Sequence, residues 1–141
     1  MIEDASWARA RFAGARVARL ATAARSGEPH LVPIVFALDG ETVYFVVDAK
    51  PKQGVELARV RNIRTQPHVS LLVDHYDDDW TQLWWARADG TARVLPLSSA
   101  ESRSGLGRLF DRYAQYQHLA SPPGPMIAID VTRWTGWSAR N

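Results

Sequence analysis

Residues 48–73 read DAKPKQGVELARVRNIRTQPHVSLLV and contain both lysines of the chain, Lys50 and Lys52. The other fifteen cationic residues counted in the chain are arginines. The two lysines stand in a turn between a predicted strand and a predicted helix. The first turn of a helix offers unpaired backbone N–H groups and the positive end of the helix dipole, so cations placed there favour an anion. The stretch predicts either a phosphate site or a solvated basic loop.

The helix predicted over residues 55–65 has one apolar stripe, and its three arginines lie mainly off that stripe. A phosphate needs two or three convergent cations together with N–H donors. Lys50, Lys52, Arg59 and Asn62 could supply them. Alternatively, Arg59 only extends along the helix surface and Asn62 only caps the helix.

Upstream of the basic turn, the pattern predicts strands over residues 17–23, 30–38 and 42–47 in an antiparallel meander. The pair Asp39-Gly40 is a strong hairpin signal, because the central residues of a type I′ turn need positive φ. Pro33 removes a ladder donor inside the second strand. It therefore predicts an edge strand or a bulge at that point.

Three further strands are predicted over residues 68–76, 80–95 and 126–131, with a bulge near residues 88–90. Helices are predicted from Asp4 or Ser6 to Gly14 and from Ser98 or Ser99 to about His118. Gly105 and Gly107 could divide the second of these helices. Six antiparallel strands with short flanking helices indicate a small barrel, of the mainly-β or α+β class.

The length of 141 residues predicts one domain over residues 1–141. The formal net charge of +2 is too small for a general nucleic-acid binder. No apolar run is long enough to span a bilayer and the first residues do not form a signal peptide, so we expect a cytoplasmic protein without a membrane partner. The absence of cysteine excludes thiolate metal sites and cysteine nucleophiles.

Catalysis by the chain's own side chains has little support in the sequence. The four histidines are scattered, and no nucleophile elbow or dinucleotide-binding glycine motif occurs. The aspartates of residues 74–79 lack the spacing of a calcium loop, so we predict no metal site. His75 could ligate a haem, although a single histidine in a strand is weak evidence. These exclusions favour chemistry carried by an organic cofactor.

The segment of residues 58–73 resembles the signature helix and strand of the pyridoxamine 5′-phosphate oxidase-like split β-barrel flavoproteins. The surrounding runs at residues 18–23, 29–33, 50–52 and 74–80 are similar to the deazaflavin branch of that superfamily, the F420-dependent oxidoreductases of actinobacteria. The resemblance extends over essentially the whole chain. It implies a six-stranded antiparallel split barrel that forms a homodimer with two cofactor sites at the interface.

The resemblance also implies roles for individual residues. Arg59 stands where the family has a phosphate-binding cation, with Lys50 and Lys52 in the adjoining turn. Pro33, Ile34 and Val35 fall on the strand whose backbone meets the cofactor ring. Val47 falls on the strand that follows it.

The implied activity is hydride transfer from reduced coenzyme F420 to a small electron-poor acceptor. Its proton donor could be Tyr44, Tyr76 or bound water. The alternatives are an FMN-dependent oxidase or reductase of the same fold and a non-catalytic protein that binds flavin or haem. The high arginine and alanine content fits a host with a GC-rich genome.

Overall fold

The computed structural model describes residues 1–47, 56–118 and 124–139. The strands are β1 (Ile2–Glu3), β2 (Ala18–Ala23), β3 (Pro29–Ile34), β4 (Ala37–Asp39), β5 (Thr42–Val46), β6 (His68–His75), β7 (Trp84–Leu95) and β8 (Met126–Ser138). The helices are α1 (Ala5–Gly14), α2 (Ala58–Thr65) and α3 (Ala100–Arg112), and 3-10 turns occupy Trp80–Gln82 and Ala114–His118. Among the described residues, no helix combines the length and apolar character needed to cross a bilayer.

The strands form one antiparallel sheet in the order β3-β2-β6-β7-β8-β5-β4, with β1 paired to β8. β3 and β4 stand at opposite ends of this path, yet only Val35 and Phe36 separate them in the chain. Two such ends lie at most about 11 Å apart, so the sheet curls back on itself. The predicted split-barrel fold of the mainly-β or α+β class is confirmed.

The described sheet has eight strands, and the prediction of six was wrong. The strand predicted over residues 30–38 is two strands, because the chain bends at Val35 and Phe36. β3 pairs with β2, whereas β4 pairs with β5 at the other end of the sheet. The two-residue strand β1 is the other addition. The hairpin predicted at Asp39-Gly40 is confirmed, but Asp39 pairs with Thr42 at the end of β4, so the two turn residues are Gly40, at φ +61°, and Glu41.

The pairing of β7 with β8 has a bulge at the predicted position, but the extra residue lies on β8, and β7 itself is continuous from Trp84 to Leu95. The register shifts between Asp89 and Gly90, which leaves Thr132 of β8 as the extra residue. β7 begins at Trp84, four residues later than predicted. Asp79 accepts a hydrogen bond from the Thr81 backbone N–H and caps a 3-10 turn before the strand.

The core has two parts, on the two faces of β5. Val43, Phe45 and Val47 face the barrel interior with the inward residues of the other strands. Tyr44 and Val46 face outwards into a second cluster that α3 covers through Leu109. Both faces of β5 are therefore buried, which explains why residues 42–47 are apolar without alternation. α3 is continuous from Ala100 to Arg112, so Gly105 and Gly107 do not divide it.

Candidate functional site

The predicted phosphate site is described only on the side of α2. Lys50 and Lys52 lie outside the described residues. α2 begins at Ala58, and Arg59 is therefore in its first turn. Residues three apart on a helix are neighbours on its surface, so Arg59 and Asn62 share one side of α2.

The Arg59 side chain contains a buried donor without a partner. Its Nε atom is inaccessible to solvent and makes no hydrogen bond among the residues described. An unpaired buried N–H costs about 1–3 kcal/mol, so such groups are rare in native structures. A cation left in this state in the first turn of a helix is suited to an anionic ligand.

Asn62 joins α2 to the barrel. It is buried, and its side-chain amide donates to Thr22 Oγ1 on β2 over 3.1 Å. This contact connects residues 40 positions apart in the chain. The amide nitrogen is thus occupied within the protein, and the contribution of Asn62 to cofactor binding stays a prediction.

His30 is a site residue that the sequence analysis missed. It lies opposite Thr22 in the β2–β3 pair, and cross-strand partners point to the same face of a sheet. Its Nδ1 atom is buried and, like Arg59 Nε, has no hydrogen-bond partner in the described part of the chain. We refer to Arg59, Asn62, Thr22 and His30 as the α2 cluster. A lone histidine in an alternating strand carries no signal that could have identified it.

The residues predicted to meet the cofactor ring lie where two strands end. Pro33 is exposed on β3, which has β2 as its one partner within the described chain, so the predicted edge position is confirmed. Ile34 and Val47 are buried in the interior cluster. The Val47 N–H donates to the Pro125 carbonyl over 2.9 Å. Val35 is half-buried against the outer cluster. Since the Ile34 and Val35 side chains pack into the protein, a ring at this edge would contact the backbone groups of Pro33, Ile34 and Val35.

A shallow cleft of about 430 Å³ opens on the outer face of β2, β6 and β7. Its walls include Ala21 and Pro29, and its polar lining includes Ser70 and Asp89, which are hydrogen-bonded to each other. Leu31 and Leu72 are exposed on the strands beside it, with relative accessibilities of 67% and 38%. This outer face therefore combines a shallow cleft with uncovered apolar side chains.

The two candidate proton donors differ in their surroundings. Tyr76 is exposed and accepts a weak hydrogen bond from Trp80 Nε1. The Tyr44 hydroxyl donates to Glu101 over 2.7 Å on the α3 side of the sheet. Burial, together with the Glu101 carboxylate, raises the pKa of Tyr44 to about 12. Tyr44 is thus committed to a structural contact.

Glu101 belongs to a charged network centred on Arg93. The Arg93 guanidinium binds Glu101 through two hydrogen bonds of 2.8 and 2.9 Å, and it binds Asp130 through two more. These contacts tie β7 to α3 and β8. The hydrogen bonds from Arg93, and then that from Tyr44, lower the pKa of Glu101 from 4.5 to about 2.

We expect the free energy of unfolding of the Glu101→Gln variant to change less with pH in the acid range than that of the wild type. Because the Glu101 pKa is about 2 in the folded chain and 4.5 ordinarily, its stabilisation is complete above pH 4.5 and fades as the pH falls towards 2. Urea unfolding at a series of pH values should give a shallower slope for the variant across this window. Glu28→Gln, at a carboxylate with no ion pair among the described residues, is the control and should keep the wild-type slope.

The chain matches one protein-family model and shares its fold with several solved structures. A family model described as pyridoxamine 5′-phosphate oxidase matches residues 7–138. The crystal structure of an FAD-binding protein from Mesorhizobium loti superposes with a TM-score of 0.73 at 19% identity, over 96% of this chain and 93% of that chain.

Two other solved structures share the fold. An FAD-binding protein from Mycobacterium smegmatis matches with a TM-score of 0.65 at 18% identity, and the match covers both chains completely. A haem-storage protein from Vibrio cholerae matches with a TM-score of 0.69 at 15% identity, over 96% of this chain and 95% of that chain. At these identities the likeness concerns the fold alone.

Proposed function

The chain belongs to the pyridoxamine 5′-phosphate oxidase family, and from this premise we propose that it is a reductase that uses coenzyme F420. Its acceptor is a small electron-poor organic molecule such as an enone, an imine or a quinone. When bound, the reduced coenzyme supplies a hydride from its deazaflavin ring. The observation that carries the proposal is the buried Nε of Arg59 in the first turn of α2, which has no hydrogen-bond partner among the described residues.

The α2 cluster and the basic turn hold the anionic part of the cofactor. Arg59 supplies a guanidinium whose Nε has no competing partner among the described residues, and Lys50 and Lys52 precede it in the sequence. His30 Nδ1 is a second buried nitrogen without a partner in the part of the chain that the structure describes, and it lies on the adjoining sheet. A coenzyme with a phosphate and a glutamate tail carries more negative charge than FMN, and this surplus of cations favours it.

The free edge of β3 positions the ring. Pro33, Ile34 and Val35 present backbone groups there, and Val47 closes the neighbouring part of the core. Tyr44 does not deliver the proton, because its hydroxyl is bound to Glu101 and its pKa is raised to about 12. The proton that completes the reduction of the acceptor therefore comes from the exposed Tyr76 or from bound water.

A homodimer completes the site. Leu31 and Leu72 leave apolar surface uncovered beside the cleft on the outer sheet face. Packing a second copy against this face would bury that surface and enclose the cleft, as favoured for exposed apolar patches. Two cofactor sites then lie at the interface.

Fluorescence titration of the purified chain with coenzyme F420 tests the proposal. We expect Arg59→Glu to raise the dissociation constant by about tenfold or more, since one charged hydrogen bond contributes roughly 1.5–3 kcal/mol. Arg61→Glu is the matched control. Arg61 lies on the exposed side of the same helix, where its side chain donates to the Glu56 carbonyl.

The outcomes separate the alternatives. Equal affinity of the Arg59→Glu variant and the wild type would remove Arg59 from the site. Preferential binding of FMN would indicate the flavin-dependent alternative of the same fold. A Soret band after incubation with haem, without binding of either flavin, would indicate a haem-binding protein. With binding established, turnover of a panel of enones and quinones identifies the acceptor class.

A further inference from the structure

A second pocket lies between α1, the end of β6 and the end of β8. Its volume is about 440 Å³, within the range of small-molecule sites. The side chains that matter here are Trp7 and Arg11 of α1, His75 of β6, and Gln82 and Trp84 beyond it. His75 stands at the opposite end of β6 from His68, which follows α2. Eight strand residues span roughly 23 Å, so the pocket is separate from the α2 cluster.

Arg11 is the cation of this pocket, and two indole rings hold it in place. Its guanidinium carbon lies 5.3 Å from the ring centroid of Trp7 and 5.4 Å from that of Trp84. Such cation–π contacts position the guanidinium without occupying its N–H donors. No carboxylate pairs with Arg11 in the described residues, although seven other cation–carboxylate pairs occur there. Arg11 therefore presents an oriented, unneutralised fork of donors.

The lining of the pocket is otherwise aromatic and neutral. Trp7 and Trp84 meet edge to face with centroids 6.2 Å apart, and the His75 ring lies nearly parallel to Trp84 at 6.0 Å. None of the described lining residues is acidic. The nearby carboxylates of Glu3 and Asp79 accept hydrogen bonds from the Ser138 and Thr81 hydroxyls. Asp74 lines an adjoining cavity with Arg11, and it pairs with Arg19 at 3.5 Å.

This combination defines the chemistry of a ligand. A guanidinium fork matches the two oxygens of a carboxylate, and aromatic side chains bury an apolar body at low entropic cost. We propose that this pocket binds a small aromatic carboxylate, with the carboxylate on Arg11 and the ring against Trp7 and Trp84. The proposal is independent of the cofactor assigned to the α2 cluster.

Calorimetric titration of the full chain with benzoate, and with the neutral isostere benzamide, tests this site. The wild type should bind benzoate more tightly than benzamide. Arg11→Gln should weaken benzoate binding by about tenfold or more, the scale of one charge-assisted hydrogen bond pair, and leave benzamide binding unchanged. Because Arg11 is exposed, the variant should fold normally.

Two further variants make the result specific. Arg133→Gln removes the same charge from an exposed position on β8 and should bind benzoate like the wild type. Trp84→Leu should weaken both probes, because it removes one aromatic wall. Absence of benzoate binding to the wild type, or equal loss in the Arg11→Gln and Arg133→Gln variants, would overturn the proposal.

Discussion

Replacing Arg112 with methionine should lower the free energy of unfolding by about 3 kcal/mol, although the side chain is not part of the α2 cluster. The estimate follows from the loss of several charged hydrogen bonds, each contributing roughly 1.5–3 kcal/mol without simple additivity. A loss of this size is a large share of the 5–15 kcal/mol that typically stabilises a domain.

The reason is the position of the Arg112 side chain between three segments of the chain. The guanidinium donates to the carbonyls of Ala13 and Ala15 at the end of α1 and to that of Phe36 at the β3–β4 bend. It also stacks on the rings of Phe36 and Tyr113, at 4.7 and 5.4 Å. Burial lowers the pKa of Arg112, so desolvation opposes its charge while the carbonyls stabilise it. Methionine fills much of the volume but removes the Arg112 donors from the Ala13 and Ala15 carbonyls, whereas the Phe36 carbonyl keeps its hydrogen bond from the Tyr113 hydroxyl.

Urea unfolding followed by circular dichroism measures this effect, and the melting temperature should fall by about 10 °C. Arg108→Met is the matched control on the same helix. Arg108 is exposed and forms one surface ion pair with Asp39, so its loss should cost less than about 1 kcal/mol. Similar losses in both variants would show that the Arg112 contacts contribute little.

Of the substitutions that add a single methyl group to the sheet, we expect Gly90→Ala to lower the folding stability most. Gly90 lies at the register shift where β7 passes β8. A Cβ atom there would overlap the carbonyl oxygen of Asp130 and lie 3.0 Å from both the carbonyl carbon of Asp130 and the Cα atom of Val131. Backbone cannot rotate away as a side chain can, so the two strands must separate. We expect a loss of about 3 kcal/mol or more.

Thermal unfolding of Gly90→Ala, compared with Gly107→Ala, tests this expectation. Nothing lies within 4 Å of a Cβ atom at Gly107, which stands on the exposed side of α3. Alanine is the better helix former by up to about 1 kcal/mol, so the control should be neutral or stabilising. A Gly90→Ala variant with the melting temperature of the wild type would contradict this expectation, because it would show that the two strands separate at the bulge with little loss of free energy.

The sequence determined the elements that depend on nearby residues. α1 begins after Asp4 because the Asp4 carboxylate accepts from the Trp7 N–H over 2.8 Å, a contact within one turn. α3 begins after Ser99 for the same reason. The sequence likewise predicted the turn at Gly40 and the apolar strand β5. Local hydrogen bonds and side-chain periodicity specify these features before any tertiary contact forms.

The residues of the candidate site could be predicted only in part from the sequence. The sequence identified Arg59 as a cation near a helix start, but burial of its Nε without a partner depends on how α2 packs on the barrel. His30 joins the cluster through strand register, and Asn62 finds its acceptor on β2. The roles of Lys50 and Lys52 stay predictions, and both residues lie outside the described chain.

The bend between β3 and β4 was decided by tertiary structure alone. Residues 30–38 have the pattern of one strand, and Pro33, the local irregularity in that pattern, predicts an edge or a bulge but not a change of strand partner after Ile34. The Phe36 N–H donates to the Tyr113 hydroxyl, and the Phe36 carbonyl accepts from Arg112, residues 77 and 76 positions away. The sequence could specify what neighbouring residues decide, whereas closing this barrel required groups that meet only after the chain has folded.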